Sequence, residues 1–354
     1  MEPAAVRSRL TSLDVFRGLV VALLVLVEWV LPAPGYTWLR HSPWDGVRIP
    51  DVVFPAFLFM VGASASLATR VDPRRLVRRS VVLVGLGLLF NAWGGAGSNL
   101  TELRLPGVLQ VIGIAGLLAG LVTVVTRRPT AVAAIGLGLA TAHGALLSHV
   151  PIDCGTGRLA PGCSLPWAVD RHVFGLAHVY HQGDFGHDPE GLVTAVLGAT
   201  AVVLLGWAAG RFLYREGDRT ATAVLAGGLL VAAGFASLAW PLNKRLWTPS
   251  FGLVMAAGCT ALLLVLAMAL DGRARHFPQP VRWTLTALGR NALLVYVGQH
   301  VVLSALMATP HDDGNLATAL LDPFGSPVGV ALAAVAAWTA AAAALHALDW
   351  HWTV

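Results

Sequence analysis

Charged side chains are scarce in this chain of 354 residues, of which only 12% are Asp, Glu, Lys or Arg. A typical soluble domain contains about 25% of these residues. Polar stretches are also short, and none exceeds about 40 residues, which leaves no room for a separate soluble domain. Lysine is nearly missing, since Lys244 is the single lysine among 24 basic residues. These absences predict one integral membrane unit over residues 1–354.

The chain is instead rich in long apolar runs, and 56% of its residues are hydrophobic. With their polar flanks, several runs reach the roughly 20 residues that span a bilayer as a helix. We therefore predict an all-α, polytopic integral membrane protein with about ten transmembrane helices. The predicted apolar runs are 19–27, 52–68, 81–89, 108–125, 130–147, 192–209, 221–239, 251–270, 292–307 and 328–345.

The basic residues are unevenly distributed between the loops. With ten spans and a cytosolic N-terminus, 17 of the 24 Lys and Arg residues fall on the inner side and 7 on the outer side, as the positive-inside bias requires. An even number of spans puts the C-terminus in the cytosol as well, and residues 151–189 form the long extracytoplasmic loop. We expect a multi-pass protein of the plasma membrane. The net charge of +5 needs no nucleic-acid partner, because the inner-face arginines face anionic lipid.

Cysteine is represented by three residues. Cys154 and Cys163 both lie in the long outer loop, where an oxidising environment makes a disulfide between them plausible. No ligands stand there at zinc-finger spacing, so we predict no metal site. Cys259 lies in an apolar run and is expected to be a small core residue.

The loop between the first two apolar runs holds the most informative ionisable residues. His41 is flanked by Trp38 and Trp44, and Asp45 and Asp51 follow it closely. A lone loop histidine is more often merely solvated, but this loop is apolar and tightly turned, which favours packing into the protein. An imidazole there is suited to accept a proton from an amine or a hydroxyl.

Two acids near this loop each have a structural and a functional interpretation. Asp51 begins the second span, where it could cap the helix, orient His41, or do both. Glu28 lies eleven residues after Arg17, or roughly 16 Å further along a helix. A carboxylate at that depth requires a partner, a proton or a cavity. It forms either a structural ion pair or, as we prefer, part of the lining of a functional cavity.

Polar residues mark two further places. Asp14 and Arg17 are three residues apart and can pair on one helical face, either as a simple interfacial salt bridge or as part of a phosphate site. Asn291, Tyr296 and His300 lie within or near a late span. Such side chains often only join neighbouring helices, but His300 could line the same cavity as His41.

Six sequence blocks carry a resemblance to a known family. They are SLDVFRG at 12–18, LRHSPWDGVRIPDVVFPAFLFMVG at 39–62, LRLPGVLQ at 103–110, HDPEGL at 187–192, NKRLWTPSF at 243–251 and LGRNALLVYVG at 288–298. Taken in this order, they resemble the heparan-α-glucosaminide N-acetyltransferase family, part of a broader group of transmembrane acyltransferases. The resemblance runs nearly from end to end.

The resemblance implies a function and a set of site residues. Members of this family move an acetyl group from cytosolic acetyl-CoA to an amine on the far side of the membrane. The catalytic histidine of the family falls on His41 and its aspartate on Asp51, and we add Glu28 as a catalytic residue. The expected residues for binding acetyl-CoA or the acceptor are Asp14, Arg17, Trp44, Asn291 and His300. The resemblance also implies a homodimer.

The sequence departs from the family pattern at three positions. Glu28 stands where the family usually has Asn, and Val111 and Gly116 stand where it commonly has Arg and Tyr. The additional carboxylate changes the reacting end of the site, so heparan sulfate is not carried over as the acceptor.

Two classes of function therefore compete. The first is an acyltransferase that takes acetyl from acetyl-CoA to an amine or hydroxyl of an amino sugar or glycan-like acceptor, with His41 as general base or as transient acetyl carrier. The alternative is a proton-coupled transporter or lipid-handling membrane protein, in which Glu28 and His300 relay protons. A third hypothesis is a family member that has lost activity and serves as a structural partner.

Overall fold

The protein is mostly helical over the residues that its computed structural model describes, which are 10–30, 35–94, 100–149, 159–179, 190–271, 278–311 and 314–352. The helices are α1 Thr11–Glu28, α2 Val53–Ala65, α3 Pro73–Gly94, α4 Val108–Val125, α5 Pro129–His149, α6 Leu165–Phe174, α7 Thr200–Gly210, α8 Arg219–Ser237, α9 Pro249–Leu270, α10 Gln279–Arg290, α11 Ala292–Ala308, α12 Leu316–Ala319, α13 Leu321–Phe324 and α14 Pro327–Ala347.

Shorter elements join these helices. A 3-10 turn over Ile49–Val52 leads into α2, and π-helical stretches over Thr194–Ala199 and Arg211–Glu216 flank α7. Other 3-10 turns are Thr37–Leu39, Leu100–Glu102 and Leu176–His178. Strands β1 (Pro310–His311) and β2 (Gly314–Asn315) pair antiparallel, with Pro310 opposite Asn315.

Each of the ten predicted apolar runs coincides with a helix. Among the described residues, seven helices are long and apolar enough to cross a membrane, or up to eight if the bent pair α10 and α11 counts as one span. The other two predicted spans are α1, which carries three charged residues, and the shorter apolar helix Ile49–Ala65. The all-α, polytopic fold is therefore confirmed, whereas the count of ten and the orientation of the termini stay predictions.

The local sequence explains where several helices begin. α3 and α5 both start at a proline, Pro73 and Pro129, which cannot donate a backbone hydrogen bond and suits the first turn of a helix. Asp218 caps α8 by accepting from Ala221 N at 2.8 Å, and Ser326 caps α14 by accepting from Gly329 N at 3.0 Å. Each of these four helices therefore begins at a residue type that suits a helix start.

The core is centred on α7, in which every residue from Thr200 to Gly210 is buried. It packs against α2, α4, α5 and α9. A helix that is apolar on all sides can be buried or can face lipid. In contrast to α7, α8 at the periphery exposes large residues such as Val231 and Phe235. This arrangement provides a rigid frame beside α1 and α2, which carry the site.

The helices α1 and α10 cross in very close contact. A Cβ on Gly18 would lie 2.0 Å from the Leu285 carbonyl oxygen, and a Cβ on Gly289 would lie 1.9 Å from the Asp14 carbonyl oxygen. Glycine on both helices therefore allows the backbones to touch. At Asn291 the chain then bends by 74° into α11, which brings α11 to the end of α1.

Candidate active site

His41 and Asp51 form a short hydrogen bond at the start of α2. The distance from His41 Nδ1 to Asp51 Oδ1 is 2.7 Å, and the Asp51 carboxylate is buried whereas the imidazole is 42% exposed. In the tautomer in which Nδ1 donates to the carboxylate, Nε2 is the ring nitrogen with the lone pair. The arrangement can orient the ring and leave Nε2 available as a base or a nucleophile.

Asp51 is held by two backbone donors. Its Oδ2 accepts from Ser42 N at 3.1 Å and from Arg48 N at 2.9 Å. Because Arg48 is the N-cap of the 3-10 turn that leads into α2, the carboxylate both caps this helix start and fixes the His41 loop and the imidazole together. The sequence expectation that Asp51 lies against His41 matches this contact, although its catalytic role stays a prediction.

Lys244, between α8 and α9, completes this group. Its Nζ lies 3.2 Å from His41 Nδ1 and 3.8 Å from Asp51 Oδ1. Burial lowers the pKa of the Lys244 ammonium below its ordinary value of 10.5, against the opposing effect of the carboxylates of Asp51, Glu190 and Glu28. The cation helps to keep Asp51 ionised beside the imidazole.

The loop that carries Lys244 also braces the His41 loop. Asn243 Nδ2 donates to Asp45 Oδ1 at 2.9 Å, and Gly46 N donates to the Leu242 carbonyl at 2.7 Å. Gly46 has a φ of +96°, a backbone conformation that favours glycine. These bonds explain why residues almost two hundred positions apart meet at one site.

A cavity of about 310 Å³ opens beside His41, and we call it the His41 cavity. This volume is at the small end of the range for ligand pockets. Its ionisable lining residues are Glu28, His41, Asp51, Arg104, Glu190, Lys244, Arg245 and His300. Three carboxylates thus line the cavity together with two arginines, one lysine and two histidines. Arg104 and Glu190 pair directly with each other.

Glu28 and His300 face each other across this cavity. The distance from Glu28 Oε2 to His300 Nε2 is 3.6 Å. The His300 ring contacts Phe90 and Tyr296, each with 5.0 Å between ring centroids. Glu28 and His300 are far apart in the sequence. They meet because the chain bends between α10 and α11.

A second cavity of about 290 Å³ lies beside Arg17, and we call it the Arg17 cavity. Among the described residues that line it, the charged ones are all arginines: Arg17, Arg79 and Arg290. Arg17 Nη1 donates to Asp14 Oδ1 at 3.2 Å, so the predicted pair of α1 is present. A cavity lined in this way favours an anionic ligand such as a phosphate group.

The two cavities adjoin. Phe57, Val108, Leu109 and Tyr296 line both of them. The ionisable groups of the two cavities therefore lie at opposite sides of one apolar wall, near opposite ends of α1.

The remaining predicted residues lie elsewhere. Trp44 Nε1 donates to the Leu159 carbonyl at 2.9 Å, and Asn291 Nδ2 donates to the Ala287 carbonyl at 3.1 Å. Both residues are outside the lining of the two cavities, and their role in binding stays a prediction. Cys163 is disulfide-bonded, and Cys154, its predicted partner, lies outside the described residues.

Sequence reasoning did not select Lys244, Arg79 or Arg104. Lys244 carried a detectable signal, because it is the single lysine of the chain and lies within one of the family-like blocks. Arg104 also carried a signal, because it lies in the block LRLPGVLQ at 103–110. Arg79 carried none, since the predicted inner loops are rich in arginine. No group of three or more His, Cys, Asp or Glu side chains in the described ranges is placed to hold a metal ion.

Comparison with known proteins agrees with the motifs. Residues 9–176 match the family model described as heparan-alpha-glucosaminide N-acetyltransferase, catalytic, and this range contains His41 and Asp51. The protein named heparan-alpha-glucosaminide N-acetyltransferase from Homo sapiens is 26% identical over 375 residues, which cover 84% of this chain and 54% of that protein.

The protein of the same name from Mus musculus is also 26% identical, over 363 residues that cover 83% of this chain and 54% of that protein. The chain thus spans about half the length of the curated relatives it matches. The resemblance that the sequence blocks predict is confirmed: residues 9–176 match the catalytic model of the heparan-alpha-glucosaminide N-acetyltransferase family, and most of the chain is similar to two proteins of that name.

Proposed function

We propose that the chain is a membrane-embedded acetyltransferase. It moves an acetyl group from cytosolic acetyl-CoA to an amine or hydroxyl of a small or glycan-like acceptor at the extracytoplasmic side of the plasma membrane. The names of the relatives support the class of reaction. The proposal includes a homodimer, as the resemblance implies.

One observation carries the proposal: two chemically different cavities share an apolar wall. Among the described lining residues, the charged ones of the Arg17 cavity are all arginines, and the His41 cavity holds an imidazole bonded to a buried carboxylate. Acetyl-CoA has the matching polarity, since its phosphates lie at one end and its thioester at the other. A molecule that spans both cavities would present its acetyl group at His41.

Each part of the donor then has named partners. Arg17, Arg79 and Arg290 bind the phosphate groups, because guanidinium groups match phosphate oxygens in charge and geometry. The pantetheine arm passes Phe57 and Leu109 of the shared wall. No metal is required for either task.

At the thioester end of acetyl-CoA, His41 Nε2 takes part in the acetyl transfer. It either removes a proton from the acceptor as a general base or carries the acetyl group itself before passing it on. Asp51 holds the imidazole with its proton on Nδ1 and stabilises the positive charge that develops on the ring. Lys244 keeps Asp51 ionised.

The test is acetyl transfer by the purified full-length protein in nanodiscs. Radiolabelled acetyl-CoA is incubated with a panel of amino sugars and simple amines, and both labelled product and released CoA are measured. His41→Ala should abolish transfer, and Asp51→Asn should lower kcat by about 10²–10⁴-fold, the usual contribution of a positioned acid–base group. His149→Ala, at the exposed end of α5, is the matched control and should retain activity.

The outcomes separate the competing classes. If the wild type neither binds acetyl-CoA in calorimetry nor releases CoA with any acceptor, the acetyltransferase proposal is wrong. Proton-coupled uptake by reconstituted vesicles without CoA release would instead support the transporter. Unchanged activity of His41→Ala would remove His41 from the mechanism.

A further inference from the structure

The His41 cavity contains two pairs of an imidazole and a carboxylate, and the mechanism above uses only one of them. His41 and Asp51 form the first pair. Glu28 and His300 form the second, with 3.6 Å between Oε2 and Nε2. Because both pairs line the same small cavity, a ligand that reaches one lies close to the other.

The chemistry of an amine acceptor requires a second proton acceptor. At neutral pH an alkylamine is an ammonium ion, which has no lone pair and cannot attack a thioester. To become an amide it loses two protons, one before the attack and one during or after it. His41 accounts for one of these protons, so a second base has to take the other.

The surroundings of Glu28 suit this task. Glu28 is the last residue of α1, and the last turn of that helix has no basic residue. The negative end of the helix dipole disfavours a bare carboxylate at this position. A cationic ligand relieves this repulsion, so the carboxylate attracts an ammonium ion.

His300 is held so that Nε2 faces Glu28. Its Nδ1 lies 2.9 Å from the Tyr296 carbonyl oxygen, and the ring edge packs on Phe90. Gln299, whose Oε1 accepts from Trp29 Nε1 at 2.9 Å, contacts the same ring nitrogen. The ring is therefore fixed from several sides, as expected of a side chain that shares a proton with its partner.

We propose that Glu28 and His300 form a second proton-accepting pair, which binds the ammonium form of an amine acceptor and takes its first proton. This inference rests on the proposed function and narrows it to amine acceptors. The first proton passes from nitrogen to the Glu28 carboxylate, which shares it with His300 Nε2.

The neutral amine then attacks the acetyl carbonyl carbon and forms the C–N bond of the amide. In direct transfer the thioester C–S bond breaks, its electron pair goes to sulfur, and the second proton goes to His41 Nε2. If His41 carries the acetyl group, the bond between the acetyl carbon and Nε2 breaks instead. The freed Nε2 then accepts the second proton.

The experiment compares acceptors that differ in protonation. Wild type and Glu28→Gln, as full-length proteins in nanodiscs, are assayed with an alkylamine, an amino sugar and an aromatic amine at neutral pH. With the alkylamine, Glu28→Gln should lower kcat/KM by about 10²–10⁴-fold. With the aromatic amine, which is already neutral, the loss should fall below about 10-fold.

Two further variants make the result decisive. His300→Gln should show the same dependence on the acceptor with a smaller loss, and Glu216→Gln, on an exposed π-helical residue, should match the wild type. Acetyl-CoA binding by calorimetry should be unchanged in all of them, which shows that the fold is retained.

An equal loss with every acceptor, or no loss, would overturn the role of this pair while leaving the acetyltransferase in place. A variant that no longer binds acetyl-CoA would also count against it, since Glu28 would then be structural. If the wild type transfers acetyl to a hydroxyl acceptor but to no amine, this inference fails and the proposed function stands. If it transfers acetyl to no acceptor at all, both fail.

Discussion

At Lys244 the cost of burying a charge is set against the benefit of a nearby carboxylate. Burial lowers the pKa of the ammonium although Asp51 Oδ1 is only 3.8 Å away. Desolvation therefore outweighs the attraction, as is common for buried ion pairs. Because burying this ammonium group is unfavourable, we infer that its role is to keep Asp51 ionised beside His41.

We expect the effect of Lys244 on stability to depend on pH. Below its folded-state pKa, both the folded and the unfolded chain hold the proton, and the buried charge lowers stability in full. Between that pKa and the ordinary value of 10.5, the unfolded chain binds more protons, so stability rises with pH. Lys244→Met removes this rise.

The measurement is the apparent unfolding temperature in detergent, followed from about pH 7 to about pH 10. The difference between wild type and Lys244→Met should change steadily in favour of the wild type as the pH increases. Parallel curves for the two proteins would show that Lys244 is not buried as a cation.

Contacts between site residues that are close in the sequence could be predicted, whereas contacts between residues far apart in the sequence could not. His41 and Asp51 are ten residues apart in one turned loop, so their contact could be expected from spacing. Lys244 lies 203 residues from His41, and no local pattern predicts that two loops on different helix pairs meet. Such contacts depend on how α2 and α9 pack against α7.

Between elements, the crossing of α1 and α10 determines where several site residues lie. Arg17 is on α1, and Arg290 ends α10. Gly18 of α1 and Gly289 of α10 each lie against the backbone of the other helix. The distance between the two arginines therefore depends on how closely the two helices pack.

Gly289→Ala should separate these helices. The added methyl group overlaps the Asp14 carbonyl, and overpacking of this kind costs about 1–3 kcal/mol. We expect a lower unfolding temperature and weaker acetyl-CoA binding, because Arg17 and Arg290 move apart. Gly85→Ala is the matched control, since a Cβ at Gly85 meets open space within α3.

That control should be neutral or raise stability by up to about 1 kcal/mol, the helix propensity of Ala over Gly. Equal unfolding temperatures and equal acetyl-CoA affinities for Gly289→Ala and wild type would contradict the close contact. Binding is measured by calorimetry and unfolding by intrinsic fluorescence.

The bend between α10 and α11 was not predicted from sequence. The apolar run 292–307 indicated a helix correctly, but α10 before it is amphipathic and gave no apolar signal of its own. The 74° change of direction arises at Asn291, a residue that tolerates many backbone conformations. Composition predicts that a helix exists, whereas its direction depends on tertiary packing.

For the whole molecule, the distribution of arginine predicts the orientation in the membrane. Trp38 is 53% exposed in the His41 loop, which we expect outside, and Arg70 is exposed in the turn before α3, which we expect inside. In intact spheroplasts, a membrane-impermeant maleimide should label Trp38→Cys and should label Arg70→Cys only after permeabilisation.

The wild-type protein, with its own three cysteines, gives the background for this labelling. Labelling of Arg70→Cys but not Trp38→Cys in intact spheroplasts would reverse the orientation. It would also place His41 on the side where acetyl-CoA is made.

The polytopic architecture could be predicted from the sequence because each apolar run is long enough to be recognised by itself. The two cavities could not, since they are formed by parts of α1, α3, α4 and α11 that share no sequence pattern. Two predicted residues, Glu28 and His300, were placed near His41 only because a carboxylate and an imidazole are unexpected within a bilayer.

The wall shared by the two cavities has a consequence for the cell as well as for the reaction. The two cavities lie near opposite ends of α1. Only a few side chains separate them, among them Phe57, Val108, Leu109 and Tyr296. Under the proposed function, a donor that occupied both cavities would fill the gap between them. The substrate itself would then preserve the electrical resistance of the membrane.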